Sequence, residues 1–144
     1  MKITLLGTGT SQGVPVIACH CAVCESKSLK DKRLRSSVMI EVDNQTFVID
    51  TGPDFRQQML REDVDKVSAI LFTHHHKDHV AGMDDIRAFN FRWKEDMQIY
   101  CSRLTEVALR NEFPYVFSED KYPGTPKVKI NPIENRSFKI NGTT

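Results

Sequence analysis

Apolar positions along this chain come in short runs broken by polar and turn-forming residues, the rhythm of strands and short helices rather than of one long helix. Lys2 to Leu6 reads as a strand that runs into Gly7-Thr8-Gly9-Thr10-Ser11-Gln12-Gly13-Val14-Pro15, a tight loop where backbone approaches something closely. Ser37 to Val42 and Gln45 to Asp50 predict a hairpin turned at Asp43-Asn44. Ser68 to Phe72 is a short buried strand, Met97 to Cys101 another, and Lys127 to Ile130 and Ser137 to Ile140 complete the strand set. Helices are expected at Phe55 to Arg61, with Asp54 as its cap and Phe55 and Met59 on one face, at Asp84 to Phe91, and at Thr105 to Asn111. The stretch from Glu112 to Pro126, with Phe113, Tyr115, Phe117 and Tyr122, reads as a loop able to wall a cleft. No repeat or linker interrupts the pattern, so residues 1–144 are taken as one α+β domain.

The chemistry concentrates where the Ser68–Phe72 strand ends. There the chain reads Thr73-His74-His75-His76-Lys77-Asp78-His79. In an extended segment residues two apart point the same way, so His74 and His76 can grip one metal ion. A turn after His76 would swing Asp78 and His79 toward a second ion. Imidazole with carboxylate suits zinc, manganese or iron. Two such ions about 3.5–4 Å apart can share a hydroxide and clamp both oxygens of a displacement. A purification-tag tract lacks both the interleaved aspartate and the preceding buried strand.

A second cluster, Cys19-His20-Cys21-Ala22-Val23-Cys24, offers three thiolates, a good start on a tetrahedral structural zinc site. The fourth ligand is not evident. His20 would point away from its neighbours, and Cys101 reads as a strand end. The plain alternative is three free thiols. No thioredoxin-like context follows to suggest redox work.

His-x-His-x-Asp-His after a strand resembles the signature of the metallo-β-lactamase superfamily, whose fold is an αββα sandwich of two similar halves. The Gly-Thr-Gly-Thr-Ser-Gln-Gly-Val-Pro loop followed by Cys-x-Cys-x-x-Cys resembles the branch that includes the cyclic phosphodiesterase of phosphonate breakdown. A pyrroloquinoline-quinone biosynthesis protein shares a similar cysteine run. The resemblance implies His74 and His76 on the first ion and Asp78 and His79 on the second, with Asp78 also orienting the nucleophile. His75 and Lys77 fall at variable positions. Asp50, closing its strand, would brace the metal loop rather than bind metal. Cys19, Cys21 and Cys24 would hold a structural zinc completed by a distant C-terminal histidine. The implied reaction is hydrolysis of a small, cyclic phosphodiester by a metal-activated hydroxide, using two divalent ions, zinc or manganese. Arg87 is a candidate for the substrate phosphate because guanidinium matches phosphate oxygens.

The five histidines are His20, His74, His75, His76 and His79. The family pattern also needs a later histidine, a bridging aspartate and a last histidine, so the resemblance covers this chain but only the N-terminal half of a family member. The expectation is a half-sandwich whose apolar inner face seeks a partner, self-association included, and which alone is weak or inactive.

Composition adds limits rather than direction. A net charge of +1 and 40% apolar residues describe an ordinary globular domain. No run approaches membrane-spanning length and the N-terminus does not read as a secretory signal, so a soluble, cytoplasmic protein is expected. The basic stretch from Lys27 to Arg35 reads as a solvated loop or short helix. Without a basic arm, an RNA-processing nuclease of the same superfamily is the second enzymatic reading, and nucleic acid is not the favoured partner. A non-catalytic metal-binding or assembly module is the third reading.

Overall fold

A computed structural model of the protein describes residues 1–143. Six strands form one mixed sheet in chain order: β1 (Lys2–Gly7), β2 (Ser37–Val42), β3 (Gln45–Ile49), β4 (Ala69–Leu71), β5 (Met97–Cys101) and β6 (Val128–Pro132). The β1–β2 and β2–β3 pairs are antiparallel, and the pairs from β3 through β6 are parallel. The β2–β3 turn forms because Asp43 and Asn44 both adopt positive φ, 50° and 58°, as a two-residue hairpin requires.

Register sorts the side chains onto two faces. Met39, Val48, Ile70 and Ile99 are successive cross-strand partners, and all are buried. Against this row pack Phe55 and Met59 of α2 (Phe55–Arg61), Val80 of α3 (Lys77–Val80), and Met83 and Ile86 of a 3₁₀ turn. Leu109 of α5 (Arg103–Glu112) and Val116 of the helical turn α6 (Pro114–Phe117) complete the layer. Burial of such side chains, about 1.5–3 kcal/mol each, sets the core on this side.

The opposite face is apolar too. Ile40, Phe47 and Ala69 form one row, and Ile49, Leu71 and Tyr100 the next. Residues 133–143 return across it. Phe138 stacks on Tyr100 with ring centroids 5.8 Å apart, and Ile140 packs with Phe47 and Ala69. At the β1 edge the face stays open, with Ile3 56% and Leu5 62% exposed.

Several elements depart from the sequence reading. Ser137 to Ile140 is no strand; apart from a bridge between Ile140 and Thr143 it lies across the sheet without pairing. Its alternation of Phe138 and Ile140 reports one-sided burial, which strand pairing and surface crossing share. The Asp84–Phe91 helix is split into the 3₁₀ turn Met83–Ile86 and α4 (Arg87–Trp93). α5 starts two residues early because the Ser102 hydroxyl accepts from the Thr105 N–H, a standard N-cap. Asp54 sits at the N-cap of α2 but does not cap it; its carboxylate accepts instead from the Arg35 backbone N–H at 2.8 Å and pairs with the Arg35 guanidinium. Arg35 is therefore not a solvated loop charge. It also donates to the Ser11 carbonyl, tying the glycine loop to the sheet. That loop does approach backbone closely: a Cβ on Gly9 would lie 2.7 Å from the Arg33 carbonyl oxygen. After it comes a short helix, α1 (Ala22–Glu25), which carries Cys24 and has Cys21 at its N-cap position, with Cys19 in the preceding loop. No helix among the described residues is long and apolar enough to cross a membrane.

Candidate metal centre

The cassette leaves β4 at the edge of the helical layer. Phe72 N–H still donates to the Tyr100 carbonyl, and the chain then turns into α3, with His76 at its N-cap position. This turn brings the side chains of both halves of the motif together. Ring centroids of His74 and His76 lie 4.6 Å apart, and those of His74 and His79 lie 4.0 Å apart. His79 Nε2 and Asp78 Oδ2 are 3.2 Å apart. Two donors on one tetrahedral ion with bonds of about 2.0–2.1 Å would be about 3.3 Å apart, so this pair matches a shared cation. His75, the variable position, stands edge-on to His76.

Asp50 holds this turn from below. Its side chain is 6% exposed, and its backbone takes a positive φ of 63° that aims it at the cassette. Oδ1 accepts from the Thr73 N–H at 2.9 Å. Oδ2 accepts from the Thr73 hydroxyl and from His79 Nδ1, both at 2.7 Å. The next residue, Thr51, donates its N–H to the His79 carbonyl and accepts from the Gly82 N–H. One strand end thus fixes the cassette at its front, at Thr73, and at its back, at His79. Burial, then the neighbouring charges of His79 and His76, hold the His74 imidazole below its ordinary pKa of 6.5, which favours the neutral form that binds metal.

The cysteine cluster is separate. The sulfurs of Cys19, Cys21 and Cys24 lie within 4.8 Å of one another. Among the described residues they are the one group of three or more such donors gathered this tightly; the cassette donors are more loosely collected. The Cys24 backbone N–H and then the Cys19 and Cys24 thiols pull Cys21 down to about 7, and the Val16 N–H donates to Cys24 Sγ at 3.4 Å. Cys101 is not in the group. It is fully buried in β5, where burial and then the Glu106 charge push its thiol up to about 11. His20 points to Glu25 instead, with Nδ1 3.1 Å from the carboxylate. A tetrahedral thiolate-binding ion fits the three sulfurs, and divalent ions with nitrogen and oxygen preferences fit the cassette.

Arg87 is exposed at the start of α4. Beside it the Tyr115 hydroxyl donates to Asp84 at 2.8 Å, and Lys77 of the cassette pairs with Glu112 over the Phe113 ring. The aromatic stretch therefore does border the cassette helix. Sequence reasoning passed over Thr73 and Arg35. The only available signal for Thr73 was its place between a buried strand and the first histidine; for Arg35 there was none, since its partner lies 19 residues away.

A mixed sheet layered with helices carries a four-donor cassette at a strand exit, with an aspartate bracing it. The chain belongs to the β-lactamase superfamily: residues 45–144 match the model of the beta-lactamase superfamily domain. Its structure resembles that of a diphosphatase of the PhnP family, with a TM-score of 0.87 and 40% identity, covering 97% of this chain and 53% of that one. Zinc-bound PqqB from Methylobacterium extorquens shares the fold at a TM-score of 0.76 and 23% identity, over 97% of this chain and 52% of that one. In sequence the chain is 44% identical over 131 residues to an octanoyltransferase of Porphyromonas gingivalis, covering 90% of this chain and 26% of that protein. It is 31% identical over 101 residues to coenzyme PQQ synthesis protein B of Methylorubrum extorquens (strain PA1), covering 60% of this chain and 34% of that protein. The chain thus spans about half of these solved structures and a quarter to a third of these curated relatives.

Proposed function

We propose that this chain carries the metal-binding part of a hydrolase that cleaves a P–O bond in a small phosphodiester, a cyclic one included. The observation that supports this reading most is the pairing of His79 Nε2 with Asp78 Oδ2 beside the His74 and His76 rings, in a loop held by Asp50. The likeness to a diphosphatase at 40% identity points toward phosphoryl substrates. The octanoyltransferase name belongs to a protein of which this chain covers a quarter, and no acyl transfer is assigned here.

In this reading His74 and His76 hold one divalent ion, and Asp78 and His79 hold a second. Bound zinc or manganese supplies an acidified water and neutralises charge on the phosphoryl group. Asp78 has a second carboxylate oxygen with which to accept a hydrogen bond from the attacking water and aim it. Asp50 keeps the His79 ring in place as the charge changes. Arg87 is the side chain assigned to the substrate phosphate. Cys19, Cys21 and Cys24 hold a structural zinc near the glycine loop.

The test is zinc and manganese titration of the purified chain, followed by hydrolysis of bis(4-nitrophenyl) phosphate and of a ribose cyclic phosphate. Divalent-ion uptake at the cassette that is lost in His76→Ala, with turnover, however weak, that needs the added metal, supports the proposal. A cassette that takes up neither ion, beside a loaded cysteine cluster, would instead overturn it and favour a non-catalytic metal-binding module, a reading to which the tighter convergence of the cysteine donors lends weight.

A further inference from the structure

The Thr73 hydroxyl lies between two groups that matter to the cassette. It is 2.7 Å from Asp50 Oδ2 and 3.0 Å from His74 Nδ1. A hydroxyl has one proton to give. A carboxylate accepts and cannot donate, and hydrogen bonds to ionised acceptors are shorter and stronger than those between neutral groups. The 2.7 Å bond is therefore where the Thr73 proton goes. The oxygen that remains can only accept, so His74 Nδ1 must carry a hydrogen and donate it.

We propose that Thr73 is a positioning residue that relays the orientation of Asp50 to His74, fixing that imidazole as the Nδ1–H tautomer and leaving the Nε2 lone pair free for a metal ion. Asp50 then sets both ends of the cassette. It orients His79 by direct contact with Nδ1, and His74 through the threonine hydroxyl. Both rings offer the same nitrogen outward. An imidazole that ligates through one nitrogen commonly donates from the other, and this outer partner sets its tautomer and tilt. For His74 the partner is not a carboxylate or a carbonyl but a hydroxyl held by the carboxylate. The consequence for metal binding rests on the proposed function; the tautomer does not.

Thr73 is exposed, so replacing it need not disturb the core. Thr73→Val keeps the branched shape and deletes the hydroxyl, and Thr73→Ser keeps the hydroxyl. The experiment uses metal-free, ¹⁵N-histidine-labelled chain at about pH 8, where free imidazoles are neutral. Long-range ¹H–¹⁵N correlations report which ring nitrogen of His74 is protonated, with His74→Gln supplying the assignment. The wild type and Thr73→Ser should show Nδ1–H at His74, and Thr73→Val should shift toward the Nε2–H form. Nε2–H in the wild type, or no change in Thr73→Val, overturns the relay. In zinc titrations Thr73→Val should bind about tenfold more weakly or worse, with Thr73→Ser near wild type. Equal affinity in all three overturns the positioning role. A wild type that shows the expected tautomer but binds no zinc at the cassette leaves the relay standing and removes the functional reading instead.

Discussion

Gly52 packs directly on the carbonyl oxygen of Asp78: a side chain at Gly52 would collide with that oxygen. Gly52, three residues beyond the end of β3, thus sets how close the cassette comes to the sheet. Gly52→Ala should push Asp78 and α3 outward. Overpacking of this kind costs about 1–3 kcal/mol. Urea unfolding should show the loss, and zinc titration should show a weakened cassette beside unchanged cysteine occupancy. Wild-type stability in the variant would mean that the contact relaxes freely.

Asp50→Asn separates charge from shape. Asparagine tolerates the positive φ at this site. With the amide oxygen kept on the Thr73 N–H, its NH₂ faces the Thr73 hydroxyl and His79 Nδ1, which must then give up donating to this side chain, so the hold on the ring is lost or its tautomer reversed. Cassette affinity for zinc should fall about 10–100-fold, the usual effect of losing a partner behind a ligand. Isothermal titration of the two proteins checks it.

For the cysteines, Cys21→Ser should lower the thiolate-bound metal by one ion per chain. Cobalt substitution reads this directly, since thiolate-to-cobalt charge-transfer bands require bound sulfur. Cys101→Ser should leave those bands unchanged, because Cys101 lies buried in β5 outside the cluster.

Tyr115 gives a pH signature away from any metal ligand. Burial first, then its hydrogen bond to Asp84, raise its phenol from 10 to about 12. The fold thus favours the protonated form. The stabilisation is complete below pH 10 and is lost as pH rises from 10 through about 12. Ultraviolet difference titration of wild type against Tyr115→Phe should reveal one phenol ionising near the upper end of that window. A difference spectrum centred at pH 10 would mean that the Asp84 contact does not persist in solution.

Asn90 is buried, and its one side chain bonds three backbone groups. Its amide donates to the carbonyls of Glu95 and Lys127 and accepts from the Lys127 N–H, doing for the entry to β6 what a neighbouring strand would do. Asn90→Ala removes the side-chain partner of the Lys127 N–H and of the Glu95 carbonyl, while the Lys127 carbonyl keeps the Met97 N–H; each lost hydrogen bond costs about 0.5–1.5 kcal/mol. Thermal unfolding should show it as a clear drop in Tm, and hydrogen exchange should place the loosening at Met97 and Val128, the first pair of β5 and β6.

What could be read from sequence here is what depends on neighbours. The β2–β3 hairpin was legible because Asp43 and Asn44 carry their own turn preference, and the cassette because its four donors sit within six residues after a strand. Asp54 misled because its position is local but its use is not: α2 offered it a cap, and the Arg35 guanidinium, a stronger partner, took the carboxylate. The 137–140 segment misled because apolar alternation records only which side of the chain is wet. The tie between Thr73 and Asp50 spans 23 residues and exists only once β3 and β4 lie side by side.

The strand order of the sheet is the order of the chain, and every strand pairs only with its neighbours in sequence. In such an order no strand has to be inserted between two already paired; each adds to an open edge, and contacts that are short in sequence favour fast assembly. The ties that hold the cassette, from Asp50 to Thr73 and to His79, cross a single seam, that of β3 and β4, and need nothing from α5 or the segment that returns over the sheet.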